Sequence, residues 1–406
     1  MATLGNVPVT VKEQVGTPDR DWLREKLEEL EQIHRPSASE GERRAAEWIV
    51  ERFAELGAKA RIEAEPAHGT YWWPLGIGAV LGALGGMAAL RGRRLLGALL
   101  GAIGAAGIAD DFPPGKRALR KPLPTRATYN VVCELGAADA ERTVVVVAHH
   151  DAAHSGLIFH PALPRIADRL GLIEGQDTSP PLMAPVVGGP ILAALGALSG
   201  RRGLAKLGIF LGVGSAAAMA DIGLRQTVPG ANDNGTAVVA LLALARRLVE
   251  EPPRDLRVIL LSAGAEESFS EGIKAFGERH FDDLPRQSTL FLAVDSIGSP
   301  HLLVLRGEGF LKMHEYSPRA LALIDGLAED LGIWLYPNLR LHNGTDGLEP
   351  LAAGYETASL CGCNDLKNPA NYHWPNDLAE NVEFGSVANG IRLIEAAIRR
   401  LDERWL

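Results

Sequence analysis

The stretch "TVVVVAHHDAAHSG" leads an apolar run directly into His149, His150 and Asp151. An imidazole at the tip of a strand can bind a metal ion. Side chains two residues apart point the same way along an extended chain, so Asp151 can support His149 while His150 faces the opposite side. The pattern indicates His149 as a candidate metal ligand. The alternative is a loop histidine beside a turn aspartate.

A second stretch, "PGANDNGTAVVALLALARRL", places Asp233 just ahead of an amphipathic helical pattern. A carboxylate at this position can cap the helix by accepting hydrogen bonds from its first backbone N–H groups. It can also bridge two cations with its two oxygens. Taken alone, this stretch favours the helix cap.

A third stretch, "VILLSAGAEESF", ends an apolar run in the adjacent acids Glu266 and Glu267. Two neighbouring carboxylates repel each other unless a cation or a proton intervenes. One of them can bind a metal ion while the other takes a proton from water. The alternative is a solvated helix N-terminus, where acids are favoured in any case.

Two more stretches follow the same pattern. Asp295 ends the apolar run "LFLAVD", and an acid that leaves a buried strand needs a partner such as a cation unless it faces water in a turn. His373 stands four residues before Asp377 in "NPANYHWPND". Here Tyr372 can be a packing aromatic and Asp377 a plain helix cap.

Together the five stretches supply two histidines, three carboxylates and a spare glutamate. Zn²⁺ accepts both nitrogen and oxygen ligands, and catalytic zinc sites keep a position open for water. Two cations that share a bridging carboxylate form the arrangement used to hydrolyse amides and phosphate esters. The combined pattern therefore predicts a metal-dependent hydrolase.

These residues need a scaffold that brings several strand ends together. Apolar runs alternate with helical patterns, which predicts the α/β fold class, with a mixed central β-sheet flanked by helices. The predicted strands are residues 58–66, 129–134, 143–148, 256–262, 289–296 and 301–305. The predicted helices are residues 19–34, 40–56, 235–250, 272–280, 318–331 and 383–401.

Composition excludes several classes of protein. The 406 residues carry a net charge of −9 and no basic stripe, which argues against nucleic acid as a partner. Three cysteines are too few for a disulfide framework. The first 22 residues lack a charged segment followed by an apolar one, so we expect no secretory signal.

Two apolar segments interrupt the α/β pattern, at residues 71–109 and 183–220. We interpret both as helical hairpins inserted into a catalytic domain. That domain is then formed by residues 1–70, 110–182 and 221–406.

The composition of the inserts is typical of membrane segments. Their arms of ~15–20 residues approach the ~20 residues that span a bilayer, and their glycines and alanines permit close helix packing in lipid. Trp72 and Trp73 suit an interfacial aromatic belt. We expect membrane association through both inserts. The alternative is a pair of buried hairpins in a soluble protein, or an oligomer contact.

The side of the membrane depends on basic residues. The turns "RGRR" and "SGRRGLAK" favour a cytoplasmic position, but residues 116–126, at the other end of the first insert, are equally basic. Because no secretory signal is expected, we predict a membrane-associated protein whose catalytic domain faces the cytoplasm.

In this order, "AHHDAAHSG", "GANDNGTAVVALLALAR", "SAGAEESFSEGIKAF", "AVDSIG" and "YHWPND" resemble the motifs of M28 family metallopeptidases, the co-catalytic zinc aminopeptidases. The resemblance covers roughly residues 19–70, 128–156 and 228–406. Neither insert belongs to it. The second insert separates the His149 loop from the Asp233 loop, where the family usually has a short link.

The resemblance implies a role for each matching position. Glu266 would be the general base and then the general acid, Asp151 would orient His149, and Tyr372 would stabilise the developing oxyanion. Asp346 matches the aspartate of a segment that often reads Ser-Asp-His in the family. Asp233 would bridge two zinc ions, and the other metal ligands would be His149, Asp295, Glu267 and His373.

The function predicted from this resemblance is a di-zinc, aminopeptidase-like hydrolase of peptide or related amide bonds. Its substrate would be a peptide or amide, apolar or lipid-linked if the inserts hold the site at a membrane. One alternative is a glutaminyl cyclase-like acyltransferase with a single zinc held by Asp233, Glu267 and His373. Others are an amidase acting on a lipid-linked or N-acyl substrate, and a non-enzymatic membrane protein. The oligomeric state is left open.

Overall fold

The structure is a computed structural model that describes residues 15–406. Residues 1–14, which include most of the stretch expected to lack a secretory signal, lie outside the described residues. The strands are β1 (Ala60–Ala67), β2 (Arg126–Gly136), β3 (Thr143–His149), β4 (Arg257–Ala263), β5 (Thr289–Asp295), β6 (His301–Val304), β7 (Gly307–Glu308), β8 (His314–Glu315), β9 (Arg340–Leu341) and β10 (Glu356–Cys363).

The α-helices surround these strands and also form the two inserts. They are α1 (Arg20–Glu31), α2 (Glu40–Glu55), α3 (Trp72–Leu90), α4 (Arg94–Asp111), α5 (Ala162–Arg169), α6 (Ala184–Ser199), α7 (Arg202–Leu224), α8 (Thr236–Glu250), α9 (Glu271–His280), α10 (Pro318–Leu331), α11 (Leu348–Ala352) and α12 (Phe384–Glu403).

Seven strands form the central sheet in the order β1-β2-β4-β3-β5-β10-β6. The four strands β4, β3, β5 and β10 are parallel to one another, whereas β1, β2 and β6 pair antiparallel at the two edges. A small second sheet has the order β8-β7-β9. The predicted fold class, a mixed sheet flanked by helices, is therefore confirmed.

The valine run forms the centre of the sheet. Every residue of β3 is buried. Val144 and Val146 pack into the core that α8 and α12 cover, whereas Val145 and Val147 pack into the core that α9 covers. A strand buried on both faces reads as a continuous apolar run rather than an alternating one. This burial makes β3 a rigid support for the residues that follow it.

The sequence patterns locate most of the elements. Each predicted strand and helix is present, with its ends shifted by a few residues. The main omission is β10, whose sequence "ETASLCGC" mixes small and polar residues. Strand formation here depends on pairing with β5 and β6 on either side, and a single segment does not encode that pairing.

The two inserts pack together as one four-helix bundle. Helix α3 contacts α4, α6 and α7, and α4 also contacts α6. The Nε of Arg94 donates a hydrogen bond to the Ala197 carbonyl at 2.9 Å, so the two basic turns meet at one end of the bundle. Helices α4 and α7 run past the predicted insert ends, to Asp111 and Leu224. The division into domains stays a prediction.

Two bundle helices are long and apolar enough to cross a membrane by length and composition, namely α3 with 19 residues and α7 with 23. Helix α6 is apolar but shorter. At 1.5 Å per residue, α3 and α7 measure ~28 and ~34 Å, close to the ~30 Å of a bilayer core. The outer surface of the bundle is apolar; Leu95 is 74% and Phe210 73% exposed.

Aromatic contacts join the other end of the bundle to the catalytic domain. Tyr71 stacks on Phe269 with ring centroids 4.5 Å apart, and Phe112 stacks on Phe310 at 4.7 Å. Trp72 is buried against the ring of His154. The expectation that Trp72 belongs to an interfacial belt is therefore wrong, because its side chain faces the catalytic domain. Trp73 is 43% exposed, as such a belt requires.

Glycines allow the bundle helices to approach each other closely. A methyl group on Gly85 would lie 2.7 Å from the Gly97 carbonyl oxygen, and one on Gly97 would meet the Gly85 oxygen at the same distance. A methyl group on Gly212 would lie 2.8 Å from the carbonyl oxygen of Ala79. Contacts this short require glycine, as in other small-residue helix crossings.

This packing predicts opposite effects for two glycines of α7. A methyl group on Gly214 would meet nothing within 4 Å, so Gly214→Ala should raise stability by about 0.5–1 kcal/mol through helix propensity. Gly212→Ala should lower stability by about 1–3 kcal/mol, because the methyl group has no space. Thermal unfolding of the detergent-solubilised protein measures both. Equal shifts in Tm would contradict close packing at Gly212.

Candidate metal centre

The candidate site lies at one edge of the central sheet. The parallel strands β3, β4 and β5 all end there, and the carboxyl ends of parallel strands are the usual place for a site in such a sheet. His149 and Asp295 are the last residues of β3 and β5, and Glu266 follows β4 within three residues. The sheet thus brings together residues that are more than 100 positions apart in sequence.

Asp233 stands between the two histidines. Its Oδ1 lies 3.4 Å from His149 Nε2, and its Oδ2 lies 3.4 Å from His373 Nε2. Each carboxylate oxygen thus faces a different imidazole. Of the two roles open to Asp233 in the sequence, this geometry fits the bridging one. No side-chain cap is seen at the start of α8, the helix that follows.

Two groups of ligand-type atoms share Asp233. One contains His149, Asp233 and Asp295, and the other contains Asp233, Glu267 and His373. In each group the ligand atoms lie within 4.8 Å of one another. The five residues predicted as metal ligands are therefore brought together, in the two sets that the resemblance implies. Their roles as ligands stay a prediction.

The buried polar atoms of these residues fit a bound cation. His149 Nε2 and Glu267 Oε1 are buried, and neither has a hydrogen-bond partner among the described residues. Buried polar atoms are normally hydrogen-bonded, so such atoms call for another partner. Imidazole nitrogens and carboxylate oxygens together form a donor set that suits zinc.

The pKa shifts in the cluster also indicate that a bound cation would be favourable. Burial raises the pKa of Glu266 well above its ordinary value, and the neighbouring Glu267 and Asp346 carboxylates add to that rise. Burial opposes protonation of His373, but Glu267 and Asp233 outweigh it and raise the pKa of His373 to about 10. Without a cation, the cluster has to hold protons to limit the repulsion between its acids.

Asp151 lies behind His149, as predicted. Its Oδ1 is 3.4 Å from His149 Nδ1. Its carboxylate also accepts hydrogen bonds from Ser37 Oγ at 2.6 Å and from the backbone N–H groups of Glu266 and Glu267 at 3.0 and 3.1 Å. Asp151 therefore fixes the His149 ring and the backbone of the glutamate pair together.

His150 faces away from the cluster, as its position in a strand predicts. Its Nδ1 lies 3.0 Å from Ser262 Oγ on the neighbouring strand β4. Burial lowers its pKa to about 4, so it stays neutral at pH 7.

Tyr372 lies beside the cluster. Its ring stacks on His373 with centroids 3.8 Å apart, and its hydroxyl accepts a hydrogen bond from Asn343 Nδ2 at 3.2 Å. Both Tyr372 and Asn343 line the cleft described below. The predicted contact with an oxyanion stays a prediction.

Asp346 is buried near the cluster, and neither of its carboxylate oxygens has a hydrogen-bond partner among the described residues. Burial raises its pKa to about 8. Its neighbour Thr345 donates its backbone N–H to Glu308 at 2.8 Å, and Gly347 lies against the Tyr316 hydroxyl. Polar groups from another part of the chain thus contact the residues on either side of this aspartate.

Sequence reasoning missed Arg35. Its buried guanidinium donates hydrogen bonds to the carbonyls of His150 at 2.7 Å and of Pro229 and Gly230 at 2.6 Å. Burial lowers its pKa only to about 10, so the group stays charged at neutral pH. Arg35 therefore ties the His149 loop to the Asp233 loop. Nothing in the stretch "HRPS" indicates this role, because the carbonyls that it binds are remote in sequence.

Asp377, like Arg35, holds the Asp233 loop in place. Its two oxygens accept hydrogen bonds from the backbone N–H groups of Asn232 at 2.8 Å and Asp233 at 3.1 Å. The alternative of a plain helix cap is therefore wrong for Asp377, because its carboxylate binds this remote loop.

A cleft opens over the cluster, with a volume of about 1150 Å³ including its mouth. Asp233, Glu266, Glu267, Asp295 and His373 lie in its wall. The rest of the wall is largely apolar, and part of it comes from the base of the bundle. Representative apolar lining residues are Tyr71, Phe159, Leu182, Met183, Phe269 and Phe310.

Comparison with known proteins bears on the family and the fold. The family model of peptidase family M28 matches residues 217–398, which contain all of the predicted ligands except His149. This match confirms the predicted resemblance to family M28. A search among curated proteins finds no significant match.

Solved structures of low sequence identity share the fold. An aminopeptidase from Aneurinibacillus sp. strain AM-1 superposes with a TM-score of 0.59 at 14% identity, covering 96% of this chain and 95% of that one. A glutaminyl cyclase from Bacteroides thetaiotaomicron bound to N-acetylhistamine superposes with a TM-score of 0.56 at 12% identity, covering 95% of this chain and 98% of that one. A zinc aminopeptidase from Bacillus subtilis superposes with a TM-score of 0.53 at 14% identity, covering 95% of this chain and 96% of that one. The fold is that of the zinc exopeptidases.

The contacts of Asp377 predict a defect in metal binding. Asp377→Ala leaves two buried N–H groups without partners, at a cost of about 1–3 kcal/mol each. Because the freed loop carries Asp233, zinc affinity should fall about 10–100-fold. Isothermal titration of the metal-stripped protein measures this affinity.

Asp365→Ala is the matched control, because that carboxylate is 93% exposed and pairs with His301 at the surface. Equal zinc affinity in the Asp377 and Asp365 variants would contradict the holding role of Asp377.

Proposed function

We propose that the protein is a zinc-dependent hydrolase that cleaves peptide or related amide bonds, as an aminopeptidase-like M28 enzyme associated with a membrane. The observation that carries this proposal is the position of Asp233, with one carboxylate oxygen at 3.4 Å from each histidine. A carboxylate shared between two sets of ligands is the arrangement that two-metal hydrolysis requires. The M28 match and the zinc-exopeptidase fold support this function.

In this proposal the cluster holds two zinc ions. His149 and Asp295 would hold one, Glu267 and His373 would hold the other, and Asp233 would be shared between them. Bound zinc supplies Lewis acidity, which lowers the pKa of water and polarises a carbonyl group. The burial of these side chains excludes bulk water, which strengthens every electrostatic interaction in the site.

Glu266 moves the protons. Its Oε2 lies 3.8 Å from His149 Nε2, and its side chain lines the cleft. Glu266 takes the proton of the attacking water and returns it to the leaving nitrogen, which is the role of a carboxylate positioned beside the reacting groups. Asp151 keeps His149 in position, and Tyr372 donates to the oxyanion that develops on the substrate.

The role of Glu266 predicts a separation between zinc content and activity. Glu266→Gln should retain the zinc content and the fold, yet lose about 10²–10⁴-fold in kcat, because the amide cannot accept the proton. The measurements are metal analysis together with turnover of aminoacyl amides. Glu278→Gln is the control, since that side chain is 70% exposed and pairs with Lys274 on the surface. Unchanged turnover in the Glu266 variant would remove this residue from the mechanism.

A glutaminyl cyclase-like acyltransferase is the second candidate. A solved glutaminyl cyclase shares the fold, and Asp233, Glu267 and His373 by themselves form a group that could hold a single metal ion. In that reaction the substrate's own amine attacks the side-chain amide, so no water is consumed.

Zinc stoichiometry and product identity separate the two candidates. We expect two zinc ions per chain and release of free amino acids. We also expect Asp295→Asn to lose one zinc ion and most of the activity, since Asp295 belongs to only one of the two ligand groups. Mass spectrometry of the products and metal analysis test this. A single zinc ion in the wild-type protein together with pyroglutamate formation would favour the cyclase.

The bundle supports the proposed membrane location and an apolar substrate. Tyr71 and Met183, at the base of the bundle, line the same cleft as the acidic cluster. A peptide or amide carrying an apolar or lipid chain could reach the cluster along this apolar wall. The orientation in which the catalytic domain faces the cytoplasm stays a prediction.

A further inference from the structure

Exposed apolar side chains are concentrated in two connected parts of the molecule. Among the described residues, all but four of the large exposed ones lie on the four-helix bundle or in the segment 157–182. The exposed ones in that segment are Leu157, Leu163, Ile166, Leu170, Leu172 and Leu182. The four elsewhere are Ile62, Val249, Leu311 and Trp334.

Helix α5 lies in the middle of this segment and presents its apolar face outward. None of its residues is buried. Leu163 and Ile166, with Leu170 at its C-terminal end, recur at the three- and four-residue spacing of one helical face, and they are 46%, 49% and 68% exposed. Arg165 and Asp168 lie on the opposite side of the helix, and Arg169 flanks the apolar face. The helix is strongly amphipathic, yet its apolar face is turned away from the core.

One end of the segment is attached to the base of the bundle and to the metal centre. The Leu157 N–H donates to Asp221 Oδ2, in the last turn of α7, at 2.6 Å. Two residues later the Phe159 ring contacts the His373 ring with centroids 4.5 Å apart. Leu224, which ends α7 three residues after Asp221, is 79% exposed.

The other end is attached to the catalytic domain. Lys367 Nζ donates to the Ile173 carbonyl at 2.7 Å, and Ser179 N–H donates to the Arg340 carbonyl at 2.9 Å. Helix α5 is therefore held at both ends, and its apolar face cannot turn inward without breaking these contacts. Beyond Ser179 the chain lines the cleft through Leu182 and Met183.

We propose that α5 lies in the interface of a phospholipid bilayer beside the base of the bundle, with Leu163, Ile166 and Leu170 against the acyl chains. The segment 157–183 is then a membrane-bound wall of the cleft, which Phe159, Leu182 and Met183 line. A helix with one apolar face and a charged opposite face is the kind that binds in the plane of a membrane interface.

Continuity favours lipid over a second copy of the chain as the occupant of this face. The segment that carries α5 contacts the end of α7 through residues 157–159, and one bilayer surface would cover the exposed apolar side chains of both. The inference rests on the membrane location within the proposed function, but not on the zinc chemistry.

Site-directed spin labelling tests the inference on the full-length protein. The three natural cysteines are buried, so single introduced cysteines can be labelled selectively. The protein is placed in nanodiscs of phosphatidylcholine and phosphatidylglycerol. Ile166→Cys and Leu170→Cys probe the apolar face of α5, and Asp168→Cys is the matched control on its polar face. Collisions with oxygen and with a water-soluble nickel chelate are then measured for each label.

We expect the labels at positions 166 and 170 to collide severalfold less with the nickel chelate, and severalfold more with oxygen, than the label at 168. Trp334→Cys, at an exposed apolar residue outside the bundle and the segment, should stay accessible to the chelate. Equal chelate access at 166, 168 and 170 would overturn the inference. Dipolar broadening between labels at 166 on two molecules would also overturn it, because the occupant would then be a second copy.

Phe210→Cys, in the exposed face of α7, separates this inference from the proposed membrane location. Protection at 210 with full chelate access at 166 would reject the interfacial helix and leave the membrane location intact. Full access at both positions would reject both proposals. Neither readout depends on hydrolytic activity.

Discussion

The structure depends on holding several acids close together inside the protein. Asp151, Asp233, Glu266, Glu267 and Asp295 are buried or nearly so around two histidines. Buried carboxylates at such distances repel one another strongly, because little water is present to screen them. The fold counters this with fixed donors: backbone N–H groups bind Asp151, and the histidines face Asp233 from both sides. The repulsion that remains favours a bound cation, as the proposed zinc site requires.

The loops that carry these acids are kept rigid by residues outside the cluster. Arg35 binds the carbonyls that flank His149 and Asp233, and Asp377 binds the N–H groups of the Asp233 loop. A metal site needs its ligands preorganised, because each ligand that moves freely weakens binding. For the same reason, His149 is held in position by β3, a strand that is buried on both faces and ends at this residue.

In the proposed function, the bundle and the candidate metal centre act as one unit. Both inserts leave and re-enter the catalytic domain beside the cleft, and Tyr71 and Met183 from their bases line its wall. The segment that follows the His149 loop touches the end of α7, His373 and the cleft in turn. A change in the position of the bundle in a membrane would therefore affect the site through the few contacts that join the two.

The sequence by itself determined the chemistry of the ligands and the class of fold. His149, Glu266 and Asp295 could be found because each follows an apolar run, and strand ends converge in an α/β sheet. Only the tertiary structure revealed the roles of Arg35 and Asp377, the position of β10 between β5 and β6, and the union of two separate inserts in one bundle. Periodicity reports how a segment is buried, whereas these features depend on which remote segments become neighbours.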